Sequence, residues 1–431
     1  MKIAVVGLGR VGLVAAACLA ENGHEVEGFD LNPIRLENLR AGLVDFYEPG
    51  LDLLVRKGAA SGAFTVSHPS QVDHLDVDAV FIAVGTPTVP NQGADLSSVY
   101  ASIEWVQAHQ NRNIPVVMKS TLPPGTGRDL IVRYGLNYVS NPEFQQEGRA
   151  IEDWLRPSRI VVGLGDPSLE GLVRDLYTGI SSTWSITDVT TAEMIKYASN
   201  AFLATKISFI NEIANLCDLV LADIDGVSQG MGLDHRIGSA FLGAGIGFGG
   251  SCFPKDVEAL ELLARDNGHK FELLRSVVSV NDRQRRSVLT RLRQLIPDLS
   301  GASVAVLGLS FKPETDDIRE SPGVDIARWL SEDGAAVRAY DPMAGNVARG
   351  SLPPEVEIFD GALDAVAGAQ AVLLCTEWNE FREMDWRDVY GAMNAPKVII
   401  DGRNTLSADE LKEIGFEYRG IGRGRTSSCD D

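Results

Sequence analysis

The sequence lacks several features that would indicate other classes of protein. Its 431 residues contain no apolar run as long as a membrane span, and the start Met1–Gly7 has no signal-peptide layout. Basic residues are in deficit, with 39 Lys and Arg against 59 Asp and Glu and a formal net charge of -20. Nucleic acids and anionic membranes bind basic surfaces, so this balance argues against both as partners. We therefore expect a cytoplasmic protein that holds anionic ligands through local Lys and Arg side chains.

Paired spacings of metal-ligating or disulfide-forming residues are also missing. The six His and five Cys form no His-x-x-x-His or Cys-x-x-Cys pattern, so we predict no metal site and a reducing compartment. Cys18 and Cys217 lie in apolar helical patterns, and Cys375 ends a strand-like run. Cys429 lies in the polar tail Gly420–Asp431, which we expect to be frayed. These four cysteines have the surroundings of ordinary small side chains.

Cys252 has different surroundings, because it lies in the glycine-rich stretch Gly247–Asp256, which reads GFGGSCFPKD. Glycine allows the backbone to approach a ligand closely, and Pro254 suits the first position of a helix. Helix N-termini favour the thiolate form of cysteine. The sequence therefore predicts that Cys252 heads a helix and acts as a nucleophile.

The chain begins with a pattern typical of a dinucleotide-binding unit. The apolar run Ile3–Val6 is followed by Gly7-x-Gly9-x-x-Gly12, an alanine-rich helical stretch and a second strand-like run that ends at Asp30. A lone GxGxxG is weak evidence, but the flanking strand, helix and acid strengthen it. Asp30 would bind ribose hydroxyls and repel a 2′-phosphate, which favours NAD over NADP. The alternative is an ordinary glycine turn followed by a chance acid.

Two α/β patterns flank a long helical stretch. In the first pattern, strands are predicted at Ala79–Val84, Val116–Lys119 and Ile160–Gly163. One helix is predicted from Thr191 to about Asp223, about 45–50 Å long. The second pattern has strands at Ser303–Gly308, Ala336–Asp341, Ala371–Leu374 and Val398–Asp401.

The first turn of the second pattern, Gly308–Lys312, lacks the second glycine, so we expect it to hold part of another nucleotide and not a dinucleotide. The expected fold is α/β, with two Rossmann-like parallel-sheet domains joined by a long helix and a helical middle domain. The predicted domains are residues 1–185 for NAD, 186–290 for the helical centre, dimerisation and Cys252, and 291–431 for the other nucleotide.

Polar residues recur where packing alone would not need them. Lys196 and Asn200 lie four apart on the long helix and therefore share one face, which Asn211 and Asn215 extend. On local grounds alone a solvated face is the more common explanation for such a stripe. The segment Lys119–Thr121 follows a strand, so it is expected to face the cofactor cleft.

Two carboxylates in a further segment, Glu143 and Glu147, lie four residues apart beside Pro142. They could equally cap a helix.

These residues together resemble the nucleotide-sugar 6-dehydrogenase family over nearly the whole chain. The most specific pieces are Gly247–Asp256, the helix segment Glu193–Ala204, Asp234–Gly238, Phe311–Pro313 and Arg319–Pro322. Thr376–Trp378 and Asp401–Asn404 resemble the branch that acts on UDP-glucose. The resemblance implies a four-electron oxidation of the sugar 6-hydroxyl to a carboxylate with two NAD⁺, through a thiohemiacetal and a thioester on Cys252. It also implies a homodimer.

The resemblance implies roles for individual residues. The catalytic set would be Cys252, Lys196, Asn200, Asp256, Glu143 and Thr121. NAD would be bound by Gly7, Gly9, Val11, Gly12, Asp30, Arg35, Thr86, Thr121, Glu147, Lys255 and Arg319. UDP-glucose would be bound by Glu143, Phe144, Gln145, Gln146, Glu147, Lys196, Asn200, Arg236, Phe241, Leu242, Gly243, Ala244, Gly245, Gly249, Lys312 and Arg403, with Arg236 coming from a neighbouring subunit.

The chain departs from the family pattern at a few positions. Arg10 stands where an aromatic residue is common, Gln145 replaces a usual leucine, and Ala240 and Gly243 replace polar or basic side chains. Three other functions stay open at this point. They are the same chemistry on GDP-mannose or a UDP-N-acetylhexosamine, a non-catalytic NAD-binding sensor or scaffold, and a two-electron dehydrogenase in which Cys252 is incidental.

Overall fold

The computed structural model describes residues 1–89 and 93–424, so Cys429 and the last part of the tail lie outside the described residues. Contacts between Cα atoms divide the chain into two compact units. The first unit is Met1–Ser199 with Glu258–Gly268, and the second is Asn200–Val257 with His269–Asp431. Within residues 1–89 and 93–424, none of the helices has both the length and the apolar character that crossing a bilayer requires.

The first unit is built on an eight-stranded sheet in the order β10-β9-β8-β7-β4-β1-β2-β3. Its strands, with the short antiparallel pair β5-β6, are β1 Lys2–Val6, β2 Glu25–Phe29, β3 Phe64–Ser67, β4 Ala79–Ile82, β5 Thr88–Val89, β6 Gly93–Ala94, β7 Val116–Met118, β8 Tyr138–Ser140, β9 Ile160–Leu164 and β10 Trp184–Thr187. Its helices are α1 Arg10–Glu21, α2 Pro33–Arg40, α3 Leu51–Ser61, α4 Ser97–His109, α5 Thr126–Tyr134, α6 Ala150–Leu155 and α7 Glu170–Leu176. The central strands are buried apolar runs, as expected for a parallel sheet covered on both faces.

One expectation for this sheet is wrong. β9 was expected to continue the parallel pattern, but it pairs antiparallel to β8, with Val139 opposite Leu164 and Ser140 opposite Gly163. The reason is that the chain does not cross back over the sheet after β8. The segment 141–159 stays at the carboxyl edge of the sheet, where it carries the predicted residue Glu143.

The long helix α8 runs over Val189–Val220, which confirms the predicted helix to within three residues at each end. It is followed by α9 Ile224–Gly232, α10 Phe253–Asp266 and α11 Glu272–Leu295. Residues of α8 belong to the first unit up to Ser199 and to the second unit from Asn200. The alternative of a solvated polar face on α8 is wrong for Lys196, Asn200 and Asn211, which are buried.

The second unit contains a six-stranded, all-parallel sheet in the order β13-β12-β11-β14-β15-β16. Its strands are β11 Ser303–Leu307, β12 Ala336–Tyr340, β13 Glu357–Ile358, β14 Ala371–Leu374, β15 Val398–Asp401 and β16 Glu417–Arg419. Its further helices are α12 Pro322–Glu332, α13 Gly345–Ala348, α14 Ala362–Val366, α15 Asn379–Glu383, α16 Trp386–Ala392 and α17 Ala408–Ile414. The expected α/β fold with two Rossmann-like sheets and a long helix is confirmed.

The expected fraying of the tail is wrong for residues 420–424, which we call the C-terminal strap. The Arg423 guanidinium donates to the Asn404 carbonyl at 2.6 Å and to Asp225 at 2.8 Å. The backbone N–H groups of Gly422 and Gly424 donate to the Asp218 carboxylate. These partners are far away in the sequence, so the local composition of the tail gave no sign of them.

Candidate functional site

The glycine turn of the first unit has the geometry that a pyrophosphate needs. Gly7 has φ of +90°, and a Cβ at Gly12 would lie only 1.8 Å from the Gly7 carbonyl oxygen, so α1 can pack against the turn only with glycine there. Gly9 is the N-cap residue of α1, and apart from its two chain neighbours no atom of the described residues lies within 4 Å of where its Cβ would be. The turn therefore presents open space in front of a helix N-terminus, which fits a dinucleotide phosphate.

The acid at the end of β2 is tied to this turn. One oxygen of Asp30 accepts the Leu8 backbone N–H at 2.9 Å, and the Arg35 guanidinium lies 3.2 Å from the same oxygen. Arg35 is itself held by Asp45 at 2.8 Å. The predicted pair of Asp30 and Arg35 is thus brought together beside the glycine turn, at the place where an adenosine ribose binds in this type of fold.

Two other predicted cofactor residues of the first unit, Thr86 and Thr121, are hydrogen-bonded to each other. The Thr86 hydroxyl donates to the Thr121 carbonyl at 3.1 Å, which joins the ends of β4 and β7. Arg10, the departure from the family pattern, lies 3.7 Å from Glu147 and 4.9 Å from the centre of the Phe46 ring. Arg10 is therefore fixed close to the glycine turn by an acid and a ring.

A buried ion pair connects α8 with the segment after β8. The Lys196 Nζ lies 2.9 Å from Glu143 Oε1, and both side chains are almost fully buried. Burial alone would raise the pKa of Glu143, but the Lys196 ammonium and the Gln145 N–H outweigh it and hold that pKa below its ordinary value. Glu143 is therefore a carboxylate next to an ammonium, a pair that can accept a proton and stabilise an oxyanion.

A second buried lysine lies behind this pair. The Lys119 Nζ donates to Asn141 Oδ1 at 3.1 Å and to the Tyr177 hydroxyl at 3.2 Å, and it lies 5.1 Å from the centre of the Trp154 ring. Burial lowers the pKa of Lys119 to about 7. The sequence indicated Lys119 only as the start of a strand-end segment. Its burial could not be foreseen, because Asn141, Trp154 and Tyr177 come from distant parts of the chain.

The alternative of a helix cap does not apply to Glu143. The N-terminus of α6 is capped by Glu48, whose carboxylate accepts the N–H groups of Gly148 at 2.7 Å and Ala150 at 2.8 Å. Glu48 was missed at the sequence level, because it lies 100 residues from Gly148. The segment that carries Glu143 is thus held at one end by Glu48 and at the other by Lys196.

Cys252 in the second unit directly precedes α10, as the sequence predicts. Its carbonyl accepts the Asp256 N–H at 2.9 Å, which is the first hydrogen bond of the helix, and Pro254 occupies the second helical position and not the first. Cys252 is exposed, and the Ser251 hydroxyl lies 3.7 Å from its sulfur. Its thiol therefore lies at a helix N-terminus, where backbone N–H groups favour a thiolate.

The other cysteines in the described residues are buried. Burial raises the pKa of Cys18 to about 12 and that of Cys375 to about 12, and it also raises the pKa of Cys217. These thiols stay protonated and inert at neutral pH, so the exposed Cys252 is the better nucleophile.

Two polar side chains contact the Asp256 carboxylate in the first turn of α10. The Asn200 amide donates to Asp256 Oδ2 at 2.6 Å, and the Lys255 Nζ lies 2.7 Å from Asp256 Oδ1. Asp256 is almost completely buried, and Asn200 is buried on α8. The structure thus brings Asn200, Lys255 and Asp256 together one helical turn from Cys252.

Residues predicted to bind the nucleotide in the second unit are held by their own neighbours. Arg403 donates to the Cys375 carbonyl at 2.7 Å and to the carbonyls of Phe311 and Gly247 at 3.3 Å each. Arg319 is paired with Asp317 at 2.6 Å, and the Lys312 Nζ lies 5.7 Å from the centre of the Phe311 ring. Arg403 therefore joins the ends of the sheet to the glycine-rich stretch that leads to Cys252.

The residues of segment 236–249 differ in their exposure to solvent and in how closely they are packed. Arg236 is largely exposed and is oriented by Asp234, whose carboxylate lies 2.6 Å from its guanidinium. Leu242 is buried in the core, so it offers a ligand its backbone and not its side chain. A Cβ at Gly249 would lie 2.0 Å from the Glu320 carbonyl oxygen, so glycine is required there for close packing.

Each unit holds a part of the predicted site. The first unit contains Gly7, Gly9, Val11, Gly12, Asp30, Arg35, Thr86, Thr121, Glu143, Phe144, Gln145, Gln146, Glu147 and Lys196. The second unit contains Asn200, Arg236, Phe241, Leu242, Gly243, Ala244, Gly245, Gly249, Cys252, Lys255, Asp256, Lys312, Arg319 and Arg403.

Family models and known proteins match this arrangement. The chain matches the NAD-binding domain of the UDP-glucose/GDP-mannose dehydrogenase family over residues 1–181, its central domain over 190–283 and its UDP-binding domain over 305–408. These three domains define an NAD-dependent dehydrogenase that binds a UDP-sugar.

Full-length relatives support the same assignment. The UDP-glucose 6-dehydrogenase YwqF of Bacillus subtilis is 42% identical, and the match covers 98% of each chain. The structure of a UDP-glucose dehydrogenase from Pyrobaculum islandicum matches with a TM-score of 0.90 and 38% identity over 98% of this chain and 97% of that one. A UDP-D-ManNAc dehydrogenase from Pyrococcus horikoshii matches with a TM-score of 0.86 and 28% identity over 98% and 99%. The chain belongs to the UDP-glucose/GDP-mannose dehydrogenase family.

Proposed function

We propose that this chain oxidises the 6-hydroxyl of UDP-glucose to a carboxylate in two NAD⁺-dependent steps, with Cys252 as the covalent nucleophile. The observation that carries the proposal is the exposed Cys252 thiol at the N-terminus of α10, with the buried acid Asp256 one turn beyond it. A simple alcohol oxidation has no use for such a thiol, whereas oxidation of an aldehyde to an acid needs a nucleophile. The relatives named as UDP-glucose 6-dehydrogenases support the choice of sugar nucleotide.

In the first oxidation, side chains of the protein remove the proton of the sugar 6-hydroxyl and stabilise the negative charge that develops on its oxygen. Bound NAD⁺ supplies the hydride acceptor in both oxidations. Glu143 is held ionised by Lys196, so with Thr121 it serves as an acid/base and water-holding group. Lys196 and Asn200 stabilise the developing oxyanion. The product of this step is an aldehyde.

The second oxidation proceeds on the cysteine. The Cys252 thiolate adds to the aldehyde carbon, a C–S bond forms, and the oxygen takes up a proton to give a thiohemiacetal. Loss of that proton and of a hydride leaves a thioester. Water, positioned by Asp256, attacks the thioester, the C–S bond breaks, and the thiolate is released with the carboxylate. In total one water and two NAD⁺ are consumed, and two NADH and three protons are released.

The remaining predicted residues divide between the two ligands. We assign the glycine turn, Asp30 and Arg35 to the adenosine half of NAD, with Thr86, Glu147, Lys255 and Arg319 at its other contacts. We assign Lys312, Arg403 and the segments 143–147 and 241–249 to UDP-glucose. Lys312 and Arg403 would supply positive charge for the diphosphate in a strongly acidic chain. The proposed domains keep the boundaries 1–185, 186–290 and 291–431.

The stoichiometry of NADH tests the four-electron reaction. We expect about two NADH for each UDP-glucose consumed, measured by absorbance against chromatographic quantitation of both sugar nucleotides. A ratio near one would contradict the proposal. Parallel assays with GDP-mannose and UDP-N-acetylhexosamines test the substrate, because robust turnover of GDP-mannose without turnover of UDP-glucose would overturn it.

Replacement of the nucleophile tests the covalent step. Cys252→Ala should lose carboxylate formation while NAD⁺ binding survives, because the glycine turn lies elsewhere in the chain. Full uronate production by this variant would refute the thioester. Cys252→Ser is expected to stall with an adduct on the enzyme, which mass spectrometry of the quenched protein would detect.

We also propose that the active form is a cytoplasmic homodimer. Phe202, Phe209 and Leu216 repeat every seven residues along α8, and their side chains are 65%, 50% and 53% exposed. An apolar stripe of this kind on a long helix is typical of a subunit interface. Arg236, exposed and oriented by Asp234, would reach the neighbouring subunit's site.

Sedimentation tests the homodimer. Phe209→Glu should give monomers, and Val132→Glu, at an exposed apolar position on α5, is the matched control that should leave the wild-type assembly intact. A wild-type protein that sediments as a monomer and retains full activity would contradict the proposed interface.

A further inference from the structure

The glycine-rich stretch in front of the nucleophile is held by three buried polar side chains of α11. We call residues 245–252 the thiol loop. Asn281, Gln284 and Arg285 are only 5%, 1% and 5% exposed, although all three are polar or charged. They lie within one turn and a half of α11, so they form one polar patch on its buried side. In the sequence they belong to the polar, arginine-rich stretch Asn281–Arg286.

Every one of these side chains bonds to the backbone of the thiol loop. Asn281 accepts the Phe248 N–H at 2.8 Å and donates to the Phe248 carbonyl at 3.2 Å. Arg285 donates to the same carbonyl at 2.6 Å, and Gln284 donates to the Gly245 carbonyl at 2.7 Å. The loop backbone four residues before Cys252 is therefore fixed at both its donor and its acceptor.

The three side chains are themselves fixed. The Asn215 amide donates to Gln284 Oε1 at 2.9 Å, which sets the orientation of the glutamine amide. Arg285 is paired with Asp325 at 2.7 Å and also donates to the Glu320 carbonyl at 3.1 Å. Arg285 thereby links the thiol loop to the segment 319–320, where the Gly250 N–H donates to the Arg319 carbonyl at 3.0 Å.

Burial of three polar side chains costs stability, so we expect such a patch only where its hydrogen bonds fix a particular geometry. Apolar side chains in these places would avoid the desolvation of two amides and a guanidinium. What they could not do is hold the carbonyl and N–H groups of a loop rich in glycine, which has many backbone conformations available. The bonds are thus suited to holding one loop conformation.

We propose that Asn281, Gln284 and Arg285 are positioning residues that hold the Cys252 thiol where it captures the aldehyde before the aldehyde leaves the enzyme. This inference rests on the proposed two-step oxidation, because it concerns the step between the two hydride transfers. The three residues act through the loop and do not themselves touch the reacting atoms.

Two variants remove hydrogen bonds between α11 and the thiol loop without adding charge. Gln284→Met keeps the side-chain volume but removes the donor to Gly245, and Arg285→Lys keeps the charge for Asp325 but removes the fork that reaches two carbonyls. The controls are Gln294→Met and Arg283→Lys, which make the same changes on the exposed face of α11. The purified full-length enzymes are assayed with UDP-glucose and NAD⁺ in the presence and absence of an aminooxy reagent that traps aldehydes.

We expect the two test variants to release aldehyde. The ratio of NADH to UDP-glucose consumed should fall from about two towards one, trapped aldehyde should rise at least tenfold, and the KM for UDP-glucose should change less than about threefold. The alkylation rate of Cys252 by iodoacetamide should change at least threefold. Both controls should behave as the wild type does.

The ratio separates positioning from simple loss of folding, because it does not depend on how much enzyme is folded. If activity falls but the ratio stays at two and no aldehyde is trapped, the three residues only support the fold and the inference is wrong. If the wild type itself gives a ratio near one, the proposed function fails instead.

Discussion

The two sheets each begin with a strand, a glycine turn and an acid after the second strand, yet the two acids have different surroundings. In the first unit Asp30 accepts the Leu8 N–H at 2.9 Å, and in the second unit Asp341 accepts the Leu309 N–H at 2.7 Å. The helix after each turn is packed equally closely. A Cβ would lie 1.8 Å from a turn carbonyl at Gly12 and 2.2 Å at Gly323.

The difference lies in what else binds the acid. The same Asp341 oxygen also accepts the Ser310 N–H, the Ser310 hydroxyl and the Trp378 indole N–H, at 2.9, 2.9 and 3.2 Å. In the second unit residues 311–321 separate the turn from α12, whereas in the first unit α1 starts directly after Gly9. The second acid is thus fully used in holding its own turn, while the first lies at a turn with open space in front of it. The same combination of a glycine turn and an acid therefore stabilises the turn itself in the second unit and binds a dinucleotide in the first.

The largest expected effect distinguishes the two acids by stability. Asp341→Asn should lower the free energy of unfolding by about 2–4 kcal/mol, because the new amide N–H groups face backbone donors that lose their acceptor. Asp30→Asn should cost about 1 kcal/mol or less and should instead weaken the preference for NAD over NADP. Urea unfolding monitored by tryptophan fluorescence and cofactor titrations measure both. Equal losses of stability in the two variants would contradict the contrast.

A smaller effect concerns the open space at the first turn. Gly9→Ala should leave the melting temperature unchanged, since among the described residues only its chain neighbours lie near the added methyl group, but it should weaken NAD⁺ binding at least tenfold, about 1.4 kcal/mol. Gly171→Ala is the control, because its added methyl group lies on α7 and, in the part of the chain that the structure describes, meets nothing within 4 Å outside its own helix backbone. Unchanged affinity for NAD⁺, measured by calorimetry, would show that the cofactor does not approach Gly9.

The smallest effect compares the strands β7 and β15, which lie next but one to β1 and β11 in their sheets. A buried ionisable side chain lies at each strand end: Lys119, whose pKa burial lowers to about 7, and Asp401, whose pKa burial raises. Between pH 7 and the ordinary lysine pKa, Lys119 binds more protons in the unfolded chain than in the folded one. The loss of unfolding free energy caused by burying Lys119 therefore becomes smaller as pH rises. For Asp401 the sign is opposite, since the folded state keeps its proton longer.

Relative to Lys119→Met, the wild type should therefore gain about 1 kcal/mol of unfolding free energy between pH 7 and pH 8. Urea titrations of both proteins at the two pH values measure this difference. Parallel behaviour of the two proteins would mean that Lys119 keeps an ordinary pKa in the fold.

Local patterns predicted most of the architecture. The first strand, the glycine turn, Asp30 and the long helix could be inferred because each depends on residues that are near one another in the sequence. The direction of β9 could not, since it depends on the path of residues 141–159 along the sheet edge. A period of apolar residues carries no information on that path.

Part of the site was accessible for the same reason, and part was not. Glycine and proline indicated the stretch that carries Cys252, and the i, i+4 spacing indicated that Lys196 and Asn200 share one helix face. Asn281, Gln284 and Arg285 look like an ordinary polar helix face, because their partners are backbone atoms of a loop more than 30 residues away. Backbone groups leave no trace in the identity of the residue that carries them.

The C-terminal strap determines where the protein can be shortened or joined to another polypeptide. Its last described bond is made by Gly424, so removal of residues 425–431 leaves Arg423 on Asn404 and Asp225, and Ile421 stays buried. Removal from Gly420 onwards takes two backbone N–H donors from Asp218, which keeps its ion pair with Arg291, and opens an apolar gap beside α9. A fluorescent protein or a purification tag should therefore follow Gly424 and should never replace the strap.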